Sequence, residues 1–104
     1  MVRDAMLKRV KTALSEIDSS AEVVLYGSRA RGTASTEADW DFLILTDKGA
    51  DRGIKQAIRT KLYEIEWATG EVVSVVIKSR EEWNRPILQD SPFHRNVERE
   101  GIHL

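Results

Sequence analysis

Residues 26–45 read YGSRARGTASTEADWDFLIL, and two groups of side chains in this stretch could do chemistry together. Asp39 and Asp41 are separated by one residue at the head of an apolar run. Side chains alternate along a strand, so a strand beginning here turns both carboxylates to one side and Trp40 to the other. Two carboxylates on one face, roughly 7 Å apart at the backbone, repel each other unless a cation lies between them. Hard cations such as Mg²⁺ (or Mn²⁺) accept carboxylates together with phosphate oxygens. In two-metal sites the ions lie about 3.5–4 Å apart and clamp the attacking and leaving oxygens. Asp39 and Asp41 are therefore candidate catalytic and metal-binding residues. The plainer alternative is a pair of exposed aspartates tied to the preceding turn, which suits one aspartate better than an alternating pair that runs into Phe-Leu-Ile-Leu.

The loop before them supplies the complementary charge. Gly27 directly follows an apolar stretch, where a glycine lets the chain bend and lets a ligand approach the backbone. Ser28 offers a hydroxyl and an amide, and a helical turn starting there would aim its unpaired N–H groups at an anion. Arg29 and Arg31 carry forked donors suited to phosphate, and Gly32 closes the loop. Without the aspartates, a surface turn with two solvated arginines explains these residues as well. Gly27 and Gly32 have the glycine spacing of a Walker phosphate loop, but Thr33 stands where its lysine belongs and the next strand begins too soon for its helix. A dinucleotide-binding fingerprint fails because Arg29 occupies a glycine position. Taken together, a phosphate cradle ends one strand and a cation site opens the next, which is what a nucleoside triphosphate with Mg²⁺ needs.

The surrounding elements must hold these two halves together. Residues 4–17 have the spacing of an amphipathic helix, with Met6, Leu7, Val10, Ala13, Leu14 and Ile17 on one face and Asp4 as N-cap. Residues 21–26 read as a buried strand, 27–38 as a loop with room for one helical turn after Ser28, and 40–45 as a second strand. A turn-rich connector, TDKGADRG (46–53), leads to a helix over 51–68. Ile54, Ile58, Leu62 and Ile65 form its core face, and Gly70 follows as a stop. A third strand spans 71–77. Ser79 and Glu82 form a capping-box pattern, Ser91 and Pro92 match the N-cap and first position of a last helix, and Gly101 ends it. The expected fold is α/β (α+β): a small mixed sheet of three or more strands flanked by helices, in two or three layers. The first two strands are linked too briefly for a parallel crossover.

The totals set limits on function. The 104 residues suit one domain spanning 1–104, with a charge of −1, 41% apolar and 32% charged residues, and no cysteine. The charge balance gives no strong case for a nucleic-acid binder or a polybasic membrane anchor. The lack of cysteine excludes disulfides and fits a reducing compartment. No apolar run approaches the ~20 residues of a membrane span, and charges interrupt the N-terminus, so a cytoplasmic protein without a signal peptide is expected. His94 and His103 read as surface or cap residues. Trp67 and Trp83 read as core or rim packing, with a partner surface at Trp83 as the alternative.

The residues GSRARG followed by ADWDF resemble the Gly-Ser-x-x-Arg-Gly … Asp-x-Asp signature of the DNA polymerase β-type nucleotidyltransferases, and more closely the minimal nucleotidyltransferases of bacteria and archaea. The resemblance extends to the closing SPFHRNVEREGIHL. It implies transfer of a nucleoside monophosphate from ATP or another NTP, with pyrophosphate leaving. It further implies that Gly27 and Ser28 hold the β- and γ-phosphates, that Asp39 and Asp41 coordinate the metals, and that Arg31 steadies the loop or the phosphates. Arg29 and Gly32 complete the loop. One departure stands out: the matching stretch of the third strand is VSVV, which puts Ser74 where a third carboxylate normally ligates metal and serves as base. Serine is no base at neutral pH without help, and Glu71 belongs to the opposite face. The resemblance implies a helical partner of the HEPN type, in toxin–antitoxin-like systems, as a candidate acceptor. The alternative is a weakened antitoxin-like module that binds nucleotide and neutralises its partner by contact.

Overall fold

A computed structural model describes residues 3–35, 37–47 and 51–104. The elements run α1 (Arg3–Ile17), β1 (Glu22–Tyr26), α2 (Ser28–Arg31), β2 (Trp40–Thr46), α3 (Arg52–Thr69), β3 (Val73–Ser79), α4 (Arg80–Trp83), α5 (Pro86–Gln89), α6 (Pro92–Glu100) and β4 (Ile102–His103). The sheet has four strands in the order β3-β2-β1-β4. β1 pairs antiparallel with β2 and β4, while β2 and β3 are parallel and joined through α3, so the sheet is mixed.

β2 is the central strand, and its sequence WDFLILT is apolar on both faces, as burial on both sides demands. Trp40, Phe42 and Ile44 face Met6, Val10 and Leu14 of α1 and Ile58, Leu62 and Ile65 of α3. Leu43 and Leu45 face the other way, toward Trp83 of α4 and Val97 of α6. The helices thus cover both faces, giving three layers. The cluster against α1 and α3 is the larger, and the smaller cluster covers only part of the opposite face. Asp41 is half-buried on that second face, at the end where the covering stops.

Local chemistry explains the boundaries. The Asp51 carboxylate accepts a hydrogen bond from Ile54 N at 3.1 Å, and Gly70 ends α3 in the left-handed conformation at φ 73°. Ser79 and Glu82 form the expected capping box, with Ser79 accepting from Glu82 N and Glu82 accepting from Ser79 N. Ser91 Oγ accepts from His94 N at 3.1 Å, Pro92 opens α6, and Gly101 N–H closes it on Val97 O at 2.8 Å.

Several expectations are corrected. α1 begins at Arg3, so Asp4 lies in its first turn rather than at the cap, where its charge still favours the N-terminus. β3 starts at Val73, two residues late, because the Gly70 turn continues through Glu71, whose N–H bonds Thr69 Oγ1 at 3.2 Å. α5 and β4 are additional; β4 is two residues long, and Leu104 N–H extends its attachment to Val23 O at 2.9 Å. His94 is buried, with its ring stacked 4.2 Å from that of Trp83. Trp83 is a core residue, whereas Trp67 is 88% exposed. Part of the connector expected at 46–53 falls on residues 48–50, outside the described residues. Among the described residues, no helix is long and apolar enough to cross a membrane.

Candidate active site

The site forms where β1 ends beside the start of β2. Antiparallel pairing sets Tyr26 opposite Asp41, and parallel pairing sets Asp41 opposite Ser74. Residues paired in register share a face, so Tyr26, Asp41 and Ser74 form a row across three neighbouring strands. Asp39, exposed just before β2, adds a second carboxylate near it.

Gly27 turns the chain out of β1 with φ 74° and ψ −161°, a combination essentially confined to glycine. Space requires glycine as well. A Cβ on Gly27 would overlap Asp41 Oδ2 and lie 3.3 Å from Asp41 Cγ. The loop backbone and the Asp41 carboxylate are therefore in direct apposition, and the glycine hydrogen is what lets them approach. The following residues wind into one turn, with Ala30 and Arg31 N–H groups bonding Gly27 O at 3.0 and 3.1 Å. Gly32 closes it in the left-handed conformation at φ 77°. Neither the Ser28 hydroxyl nor its amide has a hydrogen-bond partner among the described residues, leaving both available to an anion.

The electrostatics follow from this crowding. Burial pushes the Asp41 carboxyl above its ordinary pKa, the Asp39 charge pushes it further, and the Arg31 guanidinium partly opposes them. Tyr26 is pushed above its ordinary value by burial and by the Asp41 charge. Asp41 thus holds its negative charge reluctantly, a condition a nearby cation would relieve.

The two arginines of the loop part company. Arg31 stays on the site side and grips Glu100 with Nη1, at 3.0 Å to Oε1 and 3.1 Å to Oε2. Arg29 points to the opposite side: its guanidinium lies 4.3 Å from the centre of the Trp40 ring and donates to Ala38 O at 2.9 and 3.2 Å. It also pairs with Glu71 at 3.5 Å, and its side chain is only 14% exposed. Arg29 is thus neither turned toward the aspartates nor a solvated surface group; it ties the loop to Trp40. Trp40 Nε1 in turn donates to Glu71 at 3.2 Å, which places Glu71 on the face away from Asp41, as strand alternation predicts.

Two residues at the site escaped sequence reasoning. Tyr26 is the last residue of β1, and only the register of the hairpin reveals it as the neighbour of Asp41. Glu100 ends α6 and also accepts a long hydrogen bond, 3.3 Å, from Gly27 N. That amide, expected to face phosphate, is already engaged by a carboxylate 73 residues away in the chain. No local signal marks Glu100. Among the described residues no cluster of three or more His, Cys, Asp or Glu is placed to hold a metal ion, in keeping with serine at position 74.

Comparison with known proteins settles the family. A sequence model of the nucleotidyltransferase domain matches residues 7–102. The chain belongs to the nucleotidyltransferase domain family. A relative from Methanocaldococcus jannaschii, named "Putative protein adenylyltransferase MJ0604", is 35% identical over 80 residues, covering 77% of this chain and 73% of the relative. A solved structure described as "Crystal structure of putative nucleotidyltransferase" superimposes with a TM-score of 0.57 at 25% identity, covering 76% of this chain and 84% of its own. The mixed sheet flanked by helices is therefore a nucleotidyltransferase fold, and the resemblance to the minimal nucleotidyltransferases holds. The Gly27 loop and the Asp39–Asp41 pair both lie inside the matched span.

Proposed function

We propose that this nucleotidyltransferase moves a nucleoside monophosphate from ATP, or another NTP, to a protein acceptor in the cytoplasm, with Mg²⁺ or Mn²⁺ held by Asp39 and Asp41. The observation that supports this reading is the apposition of Gly27 and Asp41: the glycine turn read as a phosphate cradle and a carboxylate in contact, with no side chain between them. The residues suit a hard cation. Burial and the Asp39 charge raise the proton affinity of Asp41, and Ser74 adds a neutral oxygen beside it, a donor set that leaves most of the coordination to water and phosphate. When bound, such a cation neutralises charge on the donor phosphates. The chain's own contributions are the Ser28 amide and hydroxyl toward phosphate, Arg31 as a fixed cation, and a rigid strand pair that orients them. In the transfer, an acceptor oxygen bonds to the α-phosphorus, the bond from that phosphorus to the bridging oxygen breaks, pyrophosphate departs, and the acceptor's proton leaves to solvent. The name of the archaeal relative supports a protein acceptor, and a helical partner of the HEPN type is the candidate that the minimal nucleotidyltransferases suggest.

One observation favours a second reading. Ser74 stands in register beside Asp41, where a third carboxylate would complete the site. A nucleotide-binding, antitoxin-like module that neutralises its partner by contact would tolerate that serine. Incubation with labelled ATP, Mg²⁺ and a candidate partner separates the two. The transferase reading expects label on the partner, lost in the Asp39→Asn, Asp41→Asn double variant. Partner neutralisation that survives the double change without any label would establish the binding module instead.

A further inference from the structure

The sheet stops at β3, and among the described residues no strand pairs with the outer edge of that strand. Trp40 N–H bonds Val72 O at 2.9 Å on the inner side. In a parallel ladder the groups turned inward then belong to Val72, Ser74, Val76 and Lys78, and those turned outward to Val73, Val75, Ile77 and Ser79. The two end N–H groups of this outer row are already occupied. Val73 N donates to the Glu66 carboxylate at 2.8 Å and Ser79 N to Glu82 at 3.1 Å. Between them, the backbone groups of Val75 and Ile77 have no partner among the described residues. The strand, VSVVIKS, is rich in β-branched residues and carries one charge. An open edge of that composition is a template for another strand.

The ground beside the edge is also suited to a partner. A groove of about 530 Å³ runs between α3 and β3, lined by Arg59, Tyr63 and Glu66 together with Val73 and Val75. It continues past Tyr63 into a second hollow of about 380 Å³ beside Trp67 and Val72. Tyr63, Trp67 and Val72 are three of the four exposed large hydrophobic residues among those described, and all three border this one edge. Glu66 is engaged with Val73 N, whereas Arg59 makes no ion pair among the described residues. The groove therefore offers Arg59 free of any ion pair among the described residues, with the Glu66 carboxylate held on Val73 N, and the apolar surface of Tyr63, Trp67 and Val72 lies beside it. On the opposite face of the same strand, Ser74 lies directly beside Asp41.

We propose that this edge is the acceptor site: an extended segment of a partner protein adds to β3 as a further strand and presents a hydroxyl side chain to the nucleotide. Side chains of an added strand alternate between the two faces. Apolar residues and one carboxylate would lie in the groove against Tyr63, Trp67 and Arg59. The residue opposite Ser74 would lie on the catalytic face, two strand spacings of about 4.8 Å from Asp41. Serine at position 74 leaves that row short and uncharged between the acceptor and the donor phosphates. The hydroxyl oxygen forms a bond to the α-phosphorus, the α-phosphorus bond to the bridging oxygen breaks, pyrophosphate leaves, and the hydroxyl proton goes to solvent. The proposal rests on the transferase reading above, and its test separates the two.

The probe is a synthetic peptide alternating valine with glutamine, bearing an aspartate near one end and a single central serine, threonine or tyrosine in three versions. Its control is the same peptide N-methylated at the amides that would pair with β3. Amide hydrogen exchange and NMR shifts read occupation of the edge, and labelled ATP reads transfer. Slowed exchange at the Val75 and Ile77 amides, with label on the central hydroxyl of at least one version, is the expected result. Loss of two hydrogen bonds, each worth about 0.5–1.5 kcal/mol, should weaken the methylated peptide at least about fivefold. A Val75→Pro variant should lose both signals, since an outward-facing edge position tolerates proline while its N–H is removed; circular dichroism checks its fold. Equal labelling of the methylated peptide, or no protection at Val75 and Ile77, overturns the strand-addition site. Protection without label from Mg–ATP refutes the acceptor assignment and leaves the edge a binding site, while the transferase reading stands or falls separately on label at the intact partner.

Discussion

Replacing Gly27 with alanine tests the contact on which the site is built. Two separate penalties apply. The backbone at φ 74° and ψ −161° lies in a region nearly closed to other residues, at a cost of about 1–3 kcal/mol. The new methyl would also overlap Asp41 Oδ2, and forcing extra volume into a packed position costs about 1–3 kcal/mol. Gly27→Ala should therefore lose about 2–6 kcal/mol, against a total stability of about 5–15 kcal/mol for a domain of this kind. A double-mutant cycle separates the causes. In an Asp41→Ala background the nearest remaining atom of residue 41 is Cβ, 3.5 Å from the added methyl, which is ordinary contact. The alanine at 27 should then cost only its backbone strain, giving a coupling of about 1–3 kcal/mol. Any change in stability from removing the Asp41 charge appears in both arms and cancels. Urea denaturation followed by fluorescence of the buried Trp40 and Trp83 reads all four proteins. Additivity within about 0.5 kcal/mol, or a Gly27→Ala cost below about 1 kcal/mol, would show that loop and carboxylate are not in contact.

Other consequences follow from the same geometry. Burial and then the Asp39 charge raise the Asp41 pKa in the fold above the ordinary 3.8, so its contribution to stability is greatest below that value and is lost as pH rises through the raised pKa; Asp41→Asn should melt higher than the native chain at neutral pH, with the gap closing as acid protonates Asp41. Saturating Mg–ATP should reverse that order by stabilising only the native protein, and a variant still stabilised equally would remove Asp41 from the nucleotide site. Glu100→Gln removes a negative charge from the Gly27 amide and Arg31, so it should tighten Mg–ATP binding by about fivefold, on the order of 1 kcal/mol for one like charge at water-like screening; calorimetry showing weaker binding would instead make Glu100 a support of the loop. Trp67→Ala should change unfolding free energy by less than about 0.5 kcal/mol, as for other exposed positions, and a larger loss would place Trp67 in the core.

The parts of this architecture visible in the sequence are those set by local patterns. The buried runs at 21–26 and 40–45, the core stripe Ile54, Ile58, Leu62 and Ile65, and the caps at Ser79 and Ser91 each follow from a few neighbouring residues. The Gly27 loop and the aspartate pair were legible for the same reason, since each is a short motif at a strand end. Arg29 was not, although its direction has a local cause. Successive residues on a helical turn are about 100° apart, so Arg29 and Arg31 point to nearly opposite sides and cannot share one ligand. Trp67 follows the same rule: it is two residues beyond Ile65 and so falls on the far side of α3 from the core. His94 and Glu100 depend on tertiary contacts, with α6 laid beside Trp83 and its last residue brought to the loop, and no nearby residue announces either.

These observations converge on Asp41. The fold gives this carboxylate a half-buried place and a second carboxylate nearby, both of which disfavour its charge, and a glycine backbone pressed against it. Arg31, whose charge lowers its pKa, divides its attention with Glu100. A group whose role was structural would be stabilised by its surroundings, as Asp18 is by the Ser20 and Thr46 hydroxyls. Asp41 is instead held where its charge is disfavoured, against the Gly27 backbone and in register with Ser74 of the edge strand β3. A divalent cation carrying a polyphosphate, as proposed above, would relieve that imbalance. The architecture thus places the least comfortable charge of the sheet where a metal–nucleotide complex would neutralise it.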